Sequence, residues 1–211
     1  MSGSHFRLRP YREDDFEAVY RICLLTGDSG NDATDLYEDP HALGHLYAGP
    51  YVTLQPELAF VAEDDSGVAG YILGALDTVG FYKEFVARWL PPLQGEIPDP
   101  GGGATPWTPT DRIYHRLHHP RLHAPAQIGA YPSHLHINLL PGAQGQGLGR
   151  RLMDRLFSAL QESGSPGVHL GVGESNIRAQ GFYRGLGFAE LERKPGSIFM
   201  GRRLRTGVKP E

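Results

Sequence analysis

Between residues 148 and 160, Leu148, Leu152, Met153, Leu156, Phe157 and Leu160 recur at steps of mostly three and four, while Arg150, Arg151, Asp154 and Arg155 fill the other side. That spacing predicts an amphipathic helix with one face in a core. Upstream, "FRLRPY" (6–11) reads as an edge strand and "REDDFEAVYRICLLTG" as a helix with acids in its first turn and Gly27 at its end. "DSGNDATDLYEDP" is irregular and acidic. "ELAFVAED" and "GVAGYILGALD" are apolar runs separated by the turn "DDSG", a hairpin signal. Downstream, "SHLHINLL" and "GVHLGVG" read as strands, "NIRAQGFYRGLGF" as a short helix ending at Gly185 or Gly187, and "SIFMGRRL" as a last strand. The order is strand, helix, hairpin, insertion, strand, helix, strand, helix, strand. This predicts a mixed α/β domain without internal repeats.

Residues 78–130 break the pattern. They hold a possible amphipathic helix, "GFYKEFVARWL", then "PPLQGEIPDPGGGATPWTP" and the histidine-rich "YHRLHHPRLH". A structureless loop of that length is unusual in a compact domain, so the segment is expected to be an insertion with structure of its own. The 211 residues suit one well-buried core, hence a single domain over 1–211.

Composition narrows the function. The chain is 40% hydrophobic and 21% charged, no apolar run is long enough to span a bilayer, and "MSGSHFRLRP" lacks a hydrophobic leader. The expectation is a cytoplasmic protein without a membrane partner. A net charge of −4 with no basic stripe argues against nucleic acid. Lys83, Lys194 and Lys209 are the only lysines among 20 Lys and Arg, which hints at a GC-rich bacterial genome. Cys23, the single cysteine, excludes an internal disulfide and falls in the apolar rhythm of "FEAVYRICLL", as a core filler does.

One stretch resists a purely structural reading. In "PGAQGQGLGRRLMDRLFSAL", Gly145, Gly147 and Gly149 stand directly ahead of a strong helix, although glycine in a helix's first turn costs up to about 1 kcal/mol relative to alanine. A strand feeding such a loop into a helix N-terminus is an anion site, because unpaired N–H groups and the positive end of the helix dipole converge there. It is not a Walker loop, since Leu148 and Arg150 follow the glycines, and no register supplies the G-x-G-x-x-G of a dinucleotide site. Taken alone, the loop is equally compatible with a tight turn.

It does not stand alone. Gln144, Gly147 and Gly149 fit Gln/Arg-x-x-Gly-x-Gly/Ala, and about thirty residues on Asn176, Ala179, Tyr183, Gly187 and Phe188 fit N-x-x-A-x-x-x-Y-x-x-x-G-F. At these positions the chain resembles the GNAT superfamily of N-acetyltransferases, over roughly residues 6–77 and 131–204. The resemblance implies an α/β fold with a mixed, mostly antiparallel sheet flanked by helices, a splayed central strand pair, and 78–130 as a long insertion. It implies acetyl-CoA as cosubstrate, with its pyrophosphate on the loop. The cofactor-binding residues would be Gln144, Gly145, Gln146, Gly147, Leu148, Gly149 and Arg150, with Asn176 and Tyr183. The backbone around Asn138, Leu139 and Leu140 would polarise the thioester carbonyl. "CLLTGDSG", "YPSHLHINLLP" and the proline-rich insertion are similar to bacterial relatives of the acetyltransferase-like C-terminal domain of O-GlcNAcases. In eukaryotic members of that group the glycine loop has decayed; here "QGQGLG" is intact.

Acetyl transfer to an amine needs a deprotonated nucleophile, a polarised carbonyl and a proton for the leaving thiolate. Tyr183 matches the family tyrosine that donates to sulfur; otherwise it is an aromatic packing helix on sheet. His134 and His136, two apart on one strand, share a face and are candidate bases titrating near neutrality, or else hydrogen-bonded core histidines. His115, His118, His119 and His123 sit in a proline-bounded run read as flexible, without fixed ligand geometry, so no metal is expected. Asp28, Asp32, Asp35, Glu38 and Asp39, with Phe81, Tyr82, Phe85, Trp89 and Trp107, are expected to line the cleft of an unidentified amine acceptor, and residues 95–108 to be essential to it. The leading reading is an N-acetyltransferase acting on a small or peptidic amine. The alternatives are an acetyl-CoA-binding module without turnover, and an interaction domain without cofactor.

Overall fold

The computed structural model describes residues 6–102 and 106–204. Lys209, the start of the leader reading and part of the "GGGATP" run lie outside them. One sheet holds seven strands: β1 (Arg7–Pro10), β2 (Ala59–Asp64), β3 (Gly67–Ala75), β4 (Ser133–Leu139), β5 (Gly167–Gly173), β6 (Ala189–Lys194) and β7 (Ser197–Arg203). Their order is β1-β2-β3-β4-β5-β7-β6, and every neighbouring pair is antiparallel except β4 and β5. The helices are α1 (Phe16–Leu25), α2 (Ala42–Tyr47), α3 (Gly49–Leu54), α4 (Thr78–Glu84), α5 (Leu90–Glu96), α6 (Pro109–His118), α7 (Leu148–Glu162) and α8 (Ile177–Gly185).

The sheet separates two cores, and the period of two along β3 feeds both. Tyr71 and Leu73 join α1, α3 and α4 through Val19, Tyr51 and Phe81, whereas Ile72 packs under α7 with Leu152 and Leu156. All six apolar positions of the α7 stripe are buried. Cys23 is buried as well, and burial pushes its thiol up to about 11, which leaves it unreactive.

Four elements depart from the sequence expectation. β6, "AELERK", was not predicted because it is a charged edge strand, joined to β7 across Gly196 at φ +79°. α2 and α3 were not predicted either, being short and separated only by Ala48, with Pro50 in the first turn of α3. The histidine-rich run is the largest correction. Its first part is helical: residues through His118 form α6, opened by a capping box in which Asp111 N–H donates to Thr108 Oγ1 (3.1 Å) and Thr108 N–H to Asp111 Oδ2 (2.9 Å). Between α4 and α5, residues Phe85–Trp89 widen into a π turn. Pro91 and Pro92 bring no N–H for the carbonyls a turn earlier.

Candidate active site

β4 and β5 pair at only two positions, Ser133 with Val168 and His134 with His169, and then part. The closed end is held by the buried Ser133 hydroxyl, 2.6 Å from the Leu76 carbonyl and 2.7 Å from the Ser165 hydroxyl. Further along, β4 keeps its ladder with β3, and Leu140 N–H donates to Ala69 O at 2.9 Å. Alternate N–H groups of a strand point to opposite neighbours, so those of Ile137 and Leu139 face the gap. Within the expected stretch, Leu139 is therefore the N–H directed at the cleft, and Leu140 is already paired.

The glycine loop closes the far end of this gap. Gly145 and Gly147 have φ of +76° and +75°, a conformation that side chains disfavour, and Gly147 is the N-cap of α7. Gly149 is small for a different reason: a Cβ there would stand 3.0 Å from Phe182 of α8. The N–H groups of Gly147, Leu148, Gly149 and Arg150 meet no acceptor among the described residues. Gln144 braces the loop, its Nε2 donating to Leu139 O at 2.8 Å and its Oε1 accepting from Arg178 at 2.5 Å. The side chains of Gln146 and Leu148 turn away, the first bonding Gly142 O and the second buried beside Phe6 and Ala143.

A cleft of about 910 Å³ runs from this loop along the β4–β5 gap. Asn138, Leu139, Gln144, Gly145, Gly147, Gly149, Arg150, Asn176 and Tyr183 line it; Leu140, Gln146 and Leu148 do not. Asn176 caps α8 by accepting from Ala179 N–H (3.0 Å) and reaches Ser29 O (3.2 Å). Tyr183 packs between Phe182 and Phe188, its hydroxyl has no hydrogen-bond partner among the described residues, and burial pushes its pKa up to about 12. Sequence reading missed Arg178, Thr26, Tyr37 and Tyr47 on the same walls. Only Arg178 left a signal, as a cation two residues after the helix-capping Asn176.

His134 and His136 do share a face, yet their surroundings differ. His134 Nε2 lies 2.7 Å from Tyr51 Oη, and its Nδ1 2.8 Å from Thr78 Oγ1, whose hydroxyl donates to Pro132 O. That assigns the proton to Nδ1 and makes Nε2 the acceptor. Both nitrogens are occupied, and burial beside His169 and His136 holds the pKa well below the ordinary imidazole value. His136 has no hydrogen-bond partner among the described residues. Burial, with a contribution from Arg116, holds it at about 4, so it is neutral at working pH.

His136 stands where the first cleft meets a second, of about 740 Å³; Tyr47, Gly171 and Gly173 also border both. The second is walled by Phe81, Tyr82 and Phe85 and, from α6 onward, by His115, Arg116, His119, Arg121 and His123, with no carboxylate among the described residues of its lining. This corrects the acceptor-side expectation in two respects. Asp28, Asp32, Asp35, Glu38 and Asp39 line neither cleft: Asp32 caps Thr34, and Asp39 bonds Tyr114 and His41. The described residues of 95–108 line neither cleft. Trp107 stacks on His115 at 4.4 Å, and Trp89 points inward to bond His45 O.

The model of the acetyltransferase (GNAT) family matches residues 115–188, which carry α6 from His115, β4, the loop, α7, β5 and α8. The crystal structure of SsHAT superposes with a TM-score of 0.88 at 42% identity, covering 95% of this chain and 98% of that one. The chain belongs to the GNAT acetyltransferase family. Protein O-GlcNAcase of Rattus norvegicus is 27% identical over 204 residues, which is 94% of this chain but 22% of that protein, and the Mus musculus protein matches alike. The chain thus spans about a fifth of the length of these curated relatives. The structure of yncA from Salmonella typhimurium with its cofactor acetyl-CoA shares the fold, at a TM-score of 0.52 and 16% identity over 98% of both chains.

Proposed function

We propose that the protein is an acetyl-CoA-dependent N-acetyltransferase whose acceptor is an amine carrying a negatively charged group. The observation that carries this is the continuity of the cleft. At one end lie four N–H groups, at a helix N-terminus, that meet no acceptor among the described residues and suit a pyrophosphate; at the other stands a neutral imidazole facing a cationic second chamber. The acetyl-CoA held by the GNAT relative yncA supports the same ligand here.

In this reading Gly147 to Arg150 bind the pyrophosphate and the gap between β4 and β5 takes the pantetheine arm. Leu139 N–H donates to the thioester oxygen. His136, through water, takes a proton from the acceptor ammonium, and the freed amine attacks the carbonyl carbon, forming C–N. As C–S breaks, Tyr183 gives its proton to the departing sulfur, and the tyrosinate is restored by the proton that the newly acylated nitrogen gives up; the raised pKa of Tyr183 keeps its proton available for the sulfur. His134 is a positioning residue that holds Tyr51 beside His136, the rings 5.1 Å apart.

The test is free-thiol release from acetyl-CoA across a library of amines and peptides, with mass spectrometry of the product. Turnover with acidic amines is expected. Saturable acetyl-CoA binding without thiol release from any amine would reduce the protein to a binding module.

A further inference from the structure

The last turn of α6 and its C-cap residue His119 hold two histidines in a defined arrangement. His115 and His119 are one turn apart, and that turn is closed by His119 N–H donating to His115 O at 2.8 Å. Their rings face one another with centroids 4.3 Å apart. Asp99, from the segment after α5, bonds His119 Nε2 with Oδ2 at 2.8 Å while Oδ1 accepts from Gly101 N–H at 3.0 Å. One ligand atom from each of Asp99, His115 and His119 falls within 4.8 Å of the other two. His115 Nδ1 is shut from solvent and unpartnered among the described residues, a buried polar atom left unsatisfied.

We propose that Asp99, His115 and His119 form a binding site for a divalent transition metal, zinc by ligand type, that clamps the segment after α5 onto the end of α6. Two imidazoles and one carboxylate are a donor set zinc takes readily, with water completing a tetrahedron. Bonds of about 2.0–2.2 Å place neighbouring ligand atoms about 3.3 Å apart. Asp99 and His119 are both exposed and can close that distance by side-chain rotation. The site faces the second cleft, which His115 and His119 help to line, so the ion would add positive charge to its wall. It is independent of the catalytic reading.

The test uses the full chain without a histidine tag, stripped with chelator. Zinc titration by calorimetry at pH 7.5 is expected to give one saturable site and a melting temperature that rises with zinc. Cobalt(II) is expected to give the visible absorption of a tetrahedral ion. Asp99→Asn and His119→Ala, both at exposed positions, are each expected to lower zinc affinity at least tenfold, and His123→Ala to leave it unchanged. Absence of saturable binding to the wild type, or wild-type affinity in both Asp99→Asn and His119→Ala, would overturn the proposal.

Discussion

Replacing Gly147 with valine tests the loop through two separable magnitudes. A Cβ at Gly147 meets nothing within 4 Å, so the variant does not clash with the protein; what it opposes is the backbone, at φ +75°. For a residue other than glycine that conformation costs roughly 1–2 kcal/mol. In a domain of this size, about 2–4 °C of melting temperature follows each kcal/mol. A fall of roughly 2–8 °C is therefore expected, and the protein remains folded. Binding suffers separately, because the valine intrudes where the pyrophosphate meets the N–H groups of Gly147 to Arg150. Loss of one or two charge-assisted hydrogen bonds, each worth about 1.5–3 kcal/mol, lowers acetyl-CoA affinity at least tenfold. Titration calorimetry reads the affinity and thermal denaturation the stability. Gly142→Ala is the control, since Gly142 has open space, no positive φ and no place on the cleft. Unchanged acetyl-CoA affinity in folded Gly147→Val would refute the anion-site reasoning.

Tyr183→Phe should lower single-turnover chemistry by about 10²-fold with acetyl-CoA affinity nearly constant, and a full-rate variant would return Tyr183 to packing. With His136 at about 4, the limb it contributes to kcat/KM lies near pH 4 and not near neutrality as an unshifted imidazole would give; His136→Gln should abolish that limb, and its persistence would place the base elsewhere. Stability follows the same sign: above about 6.5 the ring is neutral folded and unfolded, and as pH falls from 6.5 to 4 the unfolded chain takes a proton that the folded chain refuses, so melting temperature should drop across that window, and less so in His136→Gln. Gly171→Leu, where a Cβ has only Phe199 nearby at 3.8 Å, should fold normally and obstruct the passage between the clefts, detected as lost turnover; unimpaired turnover would show that the acceptor does not pass there. Arg116→Met should erase a preference for a carboxylate-bearing amine over its amide counterpart, roughly tenfold at low salt and weaker at high salt, and a wild-type preference for lysine-rich peptides would contradict the acceptor class.

How far the sequence carried depends on the range of the interactions involved. The α7 stripe, the β2–β3 hairpin and the glycine loop with its N-cap were legible because each is decided by residues within a turn or two of each other. β6 was not, because its charged alternation makes sense only against β7. The two histidines show the limit inside the site. A spacing of two put His134 and His136 on one face, but Tyr51, 83 residues away, and Thr78, 56 away, occupy His134 and leave His136 open. No local pattern distinguishes them. Charge behaved likewise. The acids from Asp28 to Asp39 formed a conspicuous run, yet Asp32 and Asp39 are consumed by caps and by Tyr114, as short carboxylates beside unpaired N–H groups tend to be. The cations that face the cleft came instead from α6 and the residues just after it, a segment whose prolines and histidines concealed a helix. Once Thr108 and Asp111 cap that helix, His115, Arg116 and His119 fall along the cleft wall, and the wall expected to be acidic carries Arg116 instead, which suits a negative group on the acceptor beside its amine.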